Sequence, residues 1–148
     1  SLESNLLESI SSDIELASEV SNYLVSSGGK RIRPVICILI AKTFNYSGEE
    51  LIKLASSIEL LHSATLIHDD VVDQDTMRRG RPTVWKLFGH DHAINSGDAQ
   101  LIIVAQLLAA AECEHDSGGK AQAFLLKQFL KVIKYHHLQV LIVSIIGT

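Results

Sequence analysis

Cysteine is scarce in this chain of 148 residues: Cys37 and Cys113 stand alone, without metal-ligand spacing. That excludes a disulfide framework and makes a reducing, cytoplasmic setting the expectation. Aromatic residues reach only 5%, and with so many Leu, Ile and Ala the balance favours helices. An excess of positive charge is also missing. The formal net charge is −4, which argues against a general nucleic-acid binder. No apolar run is long enough to cross a bilayer; the longest, Ala99–Ala111, is about 13 residues and contains Gln100 and Gln106. The chain opens Ser-Leu-Glu, with no initiator methionine and no basic-then-apolar leader pattern, so a fragment without a membrane span is expected.

What is present is a core-forming composition. Apolar residues make up 47% and mean hydropathy is +0.21, which fits one folded domain over residues 1–148. Leu6, Leu7, Ile10, Ile14, Ala17 and Leu24 recur as on one amphipathic helix over 2–26. Pro34 fits the first turn of a second helix, Val35 to about Phe44, apolar nearly all round and therefore expected to be central. Ser47 is expected to cap a third helix, with Glu50 as its box partner. Helices are further expected at about Ala93–Cys113 and from Ala121, with a short helix or turn at Trp85–Gly89. With no strand signal before Val140, the class is all-α.

The third helix carries the chemistry. Leu51, Leu54, Ala55, Ile58, Leu61, His62, Thr65, Leu66, Asp69 and Asp73 recur at three- and four-residue steps. Asp69 and Asp73 then share a face, about 6 Å apart along the axis, and like charges so placed repel. Asp70 stands beside them, and the apolar neighbours Leu66, Ile67, Val71 and Val72 disfavour a freely solvated face. Two carboxylates at the end of an apolar wall suit Mg²⁺, which takes one or two protein carboxylates and completes its shell with water and phosphate. The bland alternative is a helix end with unrelated acids.

Arg78, Arg79 and Arg81 follow within a dozen residues. They are either exposed partners of those acids, worth little, or forks for a diphosphate. A single ligand bearing both Mg²⁺ and phosphate explains both clusters; the spacing alone leaves the two readings level. Upstream, "SSGGKRIRP" puts two glycines before Lys30, Arg31 and Arg33 at a helix start, a weak anion-site signal that is not a P-loop. His62 lies two turns before Asp69, on nearly the same face, and is either a core histidine or a phosphate contact. His68 suits a supporting role beside Asp69. His90, His92, His136 and His137 are read as surface, and Asp98 as a cap or support.

With "GGKRIRP", "LLHSATLIHDDVVD" and "MRRGRPTVW" in that order, the chain resembles the trans-isoprenyl diphosphate synthases, or polyprenyl synthetases, over about Ser1 to Ala111. The resemblance implies an all-α helical bundle of the isoprenoid synthase type. It implies Mg²⁺ bound by Asp69 and Asp73, with Asp70 alongside as a third catalytic carboxylate. Arg78 would hold the allylic diphosphate, while Lys30, Arg33, His62 and Arg79 would hold isopentenyl diphosphate. The implied reaction condenses the two substrates into a trans-polyprenyl diphosphate.

Product length follows from the helix. Family members that close the cavity early place a bulky aromatic about one turn before the first aspartate. Ala64 and Thr65 are small, so a product longer than farnesyl is expected, and Ala64→Phe should shorten it. The family's second aspartate-rich motif does not occur here, and about 112–148 matches the family poorly. Only the N-terminal half of the helices is therefore expected, and a homodimeric partner with it. The alternatives are a non-catalytic diphosphate-binding or regulatory subunit, and a terpene cyclase. The Gly-Gly-Lys-Arg stretch disfavours the cyclase, which needs no second diphosphate pocket.

Overall fold

The computed structural model describes residues 2–9, 15–43, 45, 47–110 and 131. In chain order the elements are α1 (Leu2–Ser9), α2 (Glu15–Ser26), α3 (Ile32–Thr43), α4 (Glu50–Val72), a hairpin of β1 (Met77–Arg78) and β2 (Arg81–Pro82), α5 (Val84–Phe88) and α6 (His90–Ala110). The helix expected over 2–26 is described in two parts, α1 and α2. The end expected for α6 at Cys113, the helix expected from Ala121 and the histidines at 136 and 137 lie outside the described residues.

The long helix α4 is the axis, about 34 Å from end to end at the usual rise per residue. Its residues Leu54, Leu60 and Ala64 join Leu6 of α1, Val25 of α2 and Leu101, Val104 and Leu108 of α6 in one core. A second core lies toward its C-terminal end, where Ile67 meets Val20 and Leu24 of α2, Val84 of α5 and Ala93 of α6. Burying a Leu or Ile side chain stabilises the fold by about 1.5–3 kcal/mol. These two clusters therefore fix α4 against α2 and α6, and they hold its acidic end in place.

Three expectations need correction. The helix containing Pro34 is not central in this structure. It packs on α4 and leaves Ile32, Val35, Ile36, Leu39 and Ile40 each about half exposed. An all-round apolar sequence says that a helix has no polar face, not which neighbours cover it. Ser47 is not a cap either: α4 starts at Glu50, with Glu49 at the N-cap and no side-chain cap hydrogen bond. The entry is closed by backbone bonds instead, Leu51 N–H to the Gly48 carbonyl and Ile52 N–H to that of Glu49, both 3.1 Å.

The third correction is the strand pair. Met77 pairs with Pro82 and Arg78 with Arg81. Between them Arg79 (φ 53°) and Gly80 (φ 75°) both take positive φ, the signature of a two-residue type I′ hairpin. Glycine adopts this backbone freely at Gly80, whereas Arg79 holds it at a cost. The hairpin is tied down at its base. The Asp75 carbonyl accepts from Thr83 Oγ1 and from Trp85 Nε1, both at 2.7 Å. Tyr23 of α2 donates its hydroxyl to the Pro82 carbonyl at 2.8 Å and lies under the Arg81 guanidinium, 4.4 Å from the ring centre.

Candidate functional site

The acidic end of α4 sorts its three aspartates by direction. Asp73 is the C-cap, its N–H bonded to the Asp69 carbonyl at 2.8 Å, and its side chain is exposed; Asp69 is half-buried. Asp70, roughly 100° further round the helix than Asp69, points inward and is 1% exposed. No basic residue occupies the last turn of α4. Three acids thus gather at the negative end of a helix dipole, an arrangement that favours a cation nearby.

One such cation comes from the hairpin. Arg78 donates Nε to Asp70 Oδ1 at 2.7 Å, and its Nη2 lies 2.6 Å from the same oxygen. Burial pushes the Asp70 carboxyl up from the ordinary carboxylate range, and the Arg78 hydrogen bond and charge pull it back. Asp70 Oδ2 is buried without a hydrogen-bond partner. Arg78 is therefore seated on an acid of α4, while its neighbour Arg79 reaches the other way. Arg79 Nη1 donates to the Gly28 carbonyl in the α2–α3 loop.

That loop is held to α4 as well. Arg31, at φ 46°, donates Nη1 to Glu59 Oε1 at 2.9 Å and Nη2 to the Val25 carbonyl at 2.7 Å. Lys30 and Arg33, on either side, are exposed. His62, one turn after Glu59, is half-buried. Burial lowers its pKa first and the Arg33 charge next; Arg79 and Arg78 add to the lowering, and Glu59 opposes it. His62, Arg33, Arg78 and Arg79 are thus one electrostatic neighbourhood.

The two residues read as setting product length face differently. Ala64 is fully buried in the core shared with α6, whereas Thr65 is half-buried and donates its hydroxyl to the His62 carbonyl at 2.9 Å. His68 is 1% exposed, with Nε2 3.2 Å from the Ile94 carbonyl and 3.6 Å from Asp98 Oδ1. It lies so close to Gly97 that a Cβ there would collide with the imidazole ring. His90 stacks on Trp85, ring centres 4.7 Å apart.

Sequence reasoning passed over Glu59, Tyr23, Thr83 and Gly97. Glu59 carried a usable signal, a single acid in a row of buried positions one turn before His62. The other three act through tertiary contacts that no spacing reveals.

The donor set suits a metal that arrives with its ligand. Among the described residues no group of three or more His, Cys, Asp or Glu forms a complete metal cage. Mg²⁺ needs no such cage, since one or two carboxylates suffice when phosphates and water supply the rest. Asp69 and Asp73, four residues apart at the end of α4, are the carboxylates that could supply such a pair.

Comparison with known proteins adds the family. The family model of polyprenyl synthetase matches residues 14–141. The octaprenyl diphosphate synthase of Escherichia coli K12 is 45% identical over 93 residues, 63% of this chain and 29% of its own length. The heptaprenyl diphosphate synthase structure of Staphylococcus aureus superposes with a TM-score of 0.72 at 33% identity, over 80% of this chain and 37% of that one. A Caulobacter crescentus polyprenyl synthase, solved with calcium and isoprenyl diphosphate, gives 0.78 at 26% identity, over 86% of this chain and 38% of its own. The chain thus spans 29% of the curated Escherichia coli relative's length.

Proposed function

This chain belongs to the polyprenyl synthetase family, with its all-helical isoprenoid synthase fold, and we propose that it carries the first diphosphate-handling half of a prenyltransferase. The reaction joins an allylic diphosphate to isopentenyl diphosphate with Mg²⁺ and yields a trans-polyprenyl diphosphate. The observation that carries this reading is the split of two adjacent arginines. Arg78 sits on Asp70 at the metal-binding end of α4, and Arg79 sits on the Gly28 carbonyl beside Lys30. Adjacent guanidiniums are thus held at different places by different partners, which suits a condensation of two diphosphates.

Each residue then has a task. Asp69 and Asp73 would hold Mg²⁺, and Arg78, seated by Nε and Nη2 on Asp70, would turn Nη1 to the allylic diphosphate. Lys30, Arg33, His62 and Arg79 bind isopentenyl diphosphate. Bound Mg²⁺ supplies positive charge to the departing diphosphate. The guanidinium charge of Arg78 would favour the negative charge that grows as the allylic C–O bond breaks. The isopentenyl double bond attacks the allylic cation, forming a C–C bond, and loss of a proton to the released diphosphate restores the alkene. Apolar walls along α4 keep water from the cation.

A product longer than farnesyl is supported by the small Ala64 and Thr65. It is supported also by relatives named as octaprenyl, nonaprenyl and geranylgeranyl diphosphate synthases. The working molecule is proposed as a cytoplasmic homodimer. No described helix is long and apolar enough to cross a membrane.

The test is Mg²⁺-dependent incorporation of labelled isopentenyl diphosphate into a longer product, with geranyl diphosphate as primer. Elongated product supports the reading. Binding of both diphosphates without product favours the non-catalytic subunit, and failure to bind either sinks both.

A further inference from the structure

Arg31 lies inside the basic run of the α2–α3 loop, and its guanidinium stands beside that of Arg79 next to Gly29, yet it is paired with an acid. It turns onto Glu59 of α4 at 2.9 Å, with side chains only 13% and 7% exposed, and it also caps the Val25 carbonyl at the end of α2. A charged pair this deep is seldom retained for stability, because desolvating both ions offsets most of their attraction. Its geometry suggests another use. One guanidinium links three pieces: the C-terminal end of α2, the loop, and the turn of α4 that carries His62.

We infer that the Arg31–Glu59 pair is the positioning device of the isopentenyl diphosphate pocket, setting the loop so that Lys30 and Arg33 face His62 and Arg79. This rests on the reading of those four residues as diphosphate ligands. Three observations bear on it. Arg31 holds a backbone of positive φ that the ion pair must help to maintain, and that backbone fixes where the side chains on either side of it leave the loop. Glu59 is close enough to His62 to affect its protonation, so the anchor and the ligand share one patch of α4. Arg79 also ties down the loop at Gly28, but Arg79 is itself a ligand and must be released to bind phosphate. The loop then needs a second anchor that does not let go, and Arg31 supplies it. Arg31 and Glu59 are positioning residues here, not ligands.

The experiment is titration calorimetry on the 148-residue chain, using isopentenyl diphosphate, and geranyl diphosphate with Mg²⁺, as separate probes. The informative variant is the apolar pair Arg31→Met with Glu59→Leu, which removes both charges and leaves neither unpaired, so thermal stability stays near that of the wild type. It is expected to bind isopentenyl diphosphate about tenfold more weakly and geranyl diphosphate unchanged. Arg31→Lys, which keeps the charge but not the two-pronged reach, is expected to lose about threefold. If the apolar pair fails to fold, Arg31→Lys carries the test through the same ligand split. Unchanged isopentenyl diphosphate affinity overturns the inference, and so does an equal loss for both ligands. A wild-type chain that binds neither diphosphate overturns the proposed function, and this inference with it. Wild-type binding that survives in the variants overturns the inference alone.

Discussion

Asp70 receives two nitrogens of Arg78 on one carboxylate oxygen while its other oxygen stays buried without a partner. The pair joins the last turn of α4 to the hairpin that follows it and holds the Arg78 guanidinium at that end of the helix. Arg78→Ala would strand a buried carboxylate, and a loss of about 3 kcal/mol in unfolding free energy is expected. Urea denaturation of wild type and variant checks this; an equal midpoint would mean that Asp70 has found other company.

Asp73 is expected to behave in the opposite way. It is exposed at the end of α4, so Asp73→Ala should leave the denaturation midpoint within about 0.5 kcal/mol of wild type. Mg²⁺-dependent turnover should nevertheless fall by about a hundredfold or more. Parallel stability and activity assays separate it from Asp70.

His62 gives a pH signature. Its pKa lies below the ordinary 6.5 because of burial and the surrounding arginines. A histidine with a lowered folded-state pKa contributes stability that is present above 6.5 and lost as pH falls through the lowered value. His62→Gln should flatten that limb of the stability curve. Binding an anionic diphosphate should raise the same pKa, so proton uptake is expected, read as a buffer-dependent heat in calorimetry near pH 6.5.

Gly97 is expected to be intolerant. A methyl there would collide with the His68 ring, and both helices are fixed by their cores, so Gly97→Ala should cost about 1–3 kcal/mol. Adding His68→Ala should recover part of the loss, because the second change clears the collision. Non-additive denaturation midpoints are the readout.

Product length is better tested at Thr65 than at Ala64. Phe at Ala64 enters a filled core between α4 and α6, so its effect on chain length would mix with overpacking. Thr65→Phe acts from a partly open position and is expected to shorten the product by one or more isoprene units with little change in stability. Chromatography of the products, beside a melting curve, decides it.

Much of this was legible before the fold. The three- and four-residue steps of α4 put His62, Asp69 and Asp73 along one face, because helical periodicity is a local property. The inward turn of Asp70 was readable from the same geometry, though not its partner. The hairpin left no trace, since two residues per strand are too few for an alternation pattern. Arg31 and Glu59 lie 28 residues apart and meet only through the packing of α3 and its loop on α4. The exposed side of α3 was misjudged because an apolar sequence does not name its neighbours.

The two-residue turn at Arg79 and Gly80 has one more implication. Arg78 closes β1 and Arg79 opens the turn in the left-handed region, so the change of backbone conformation between them sends one guanidinium to Asp70 and the other to the Gly28 carbonyl. A residue inserted between Arg78 and Arg79 would break the two-residue turn, and both tethers are expected to be disturbed together.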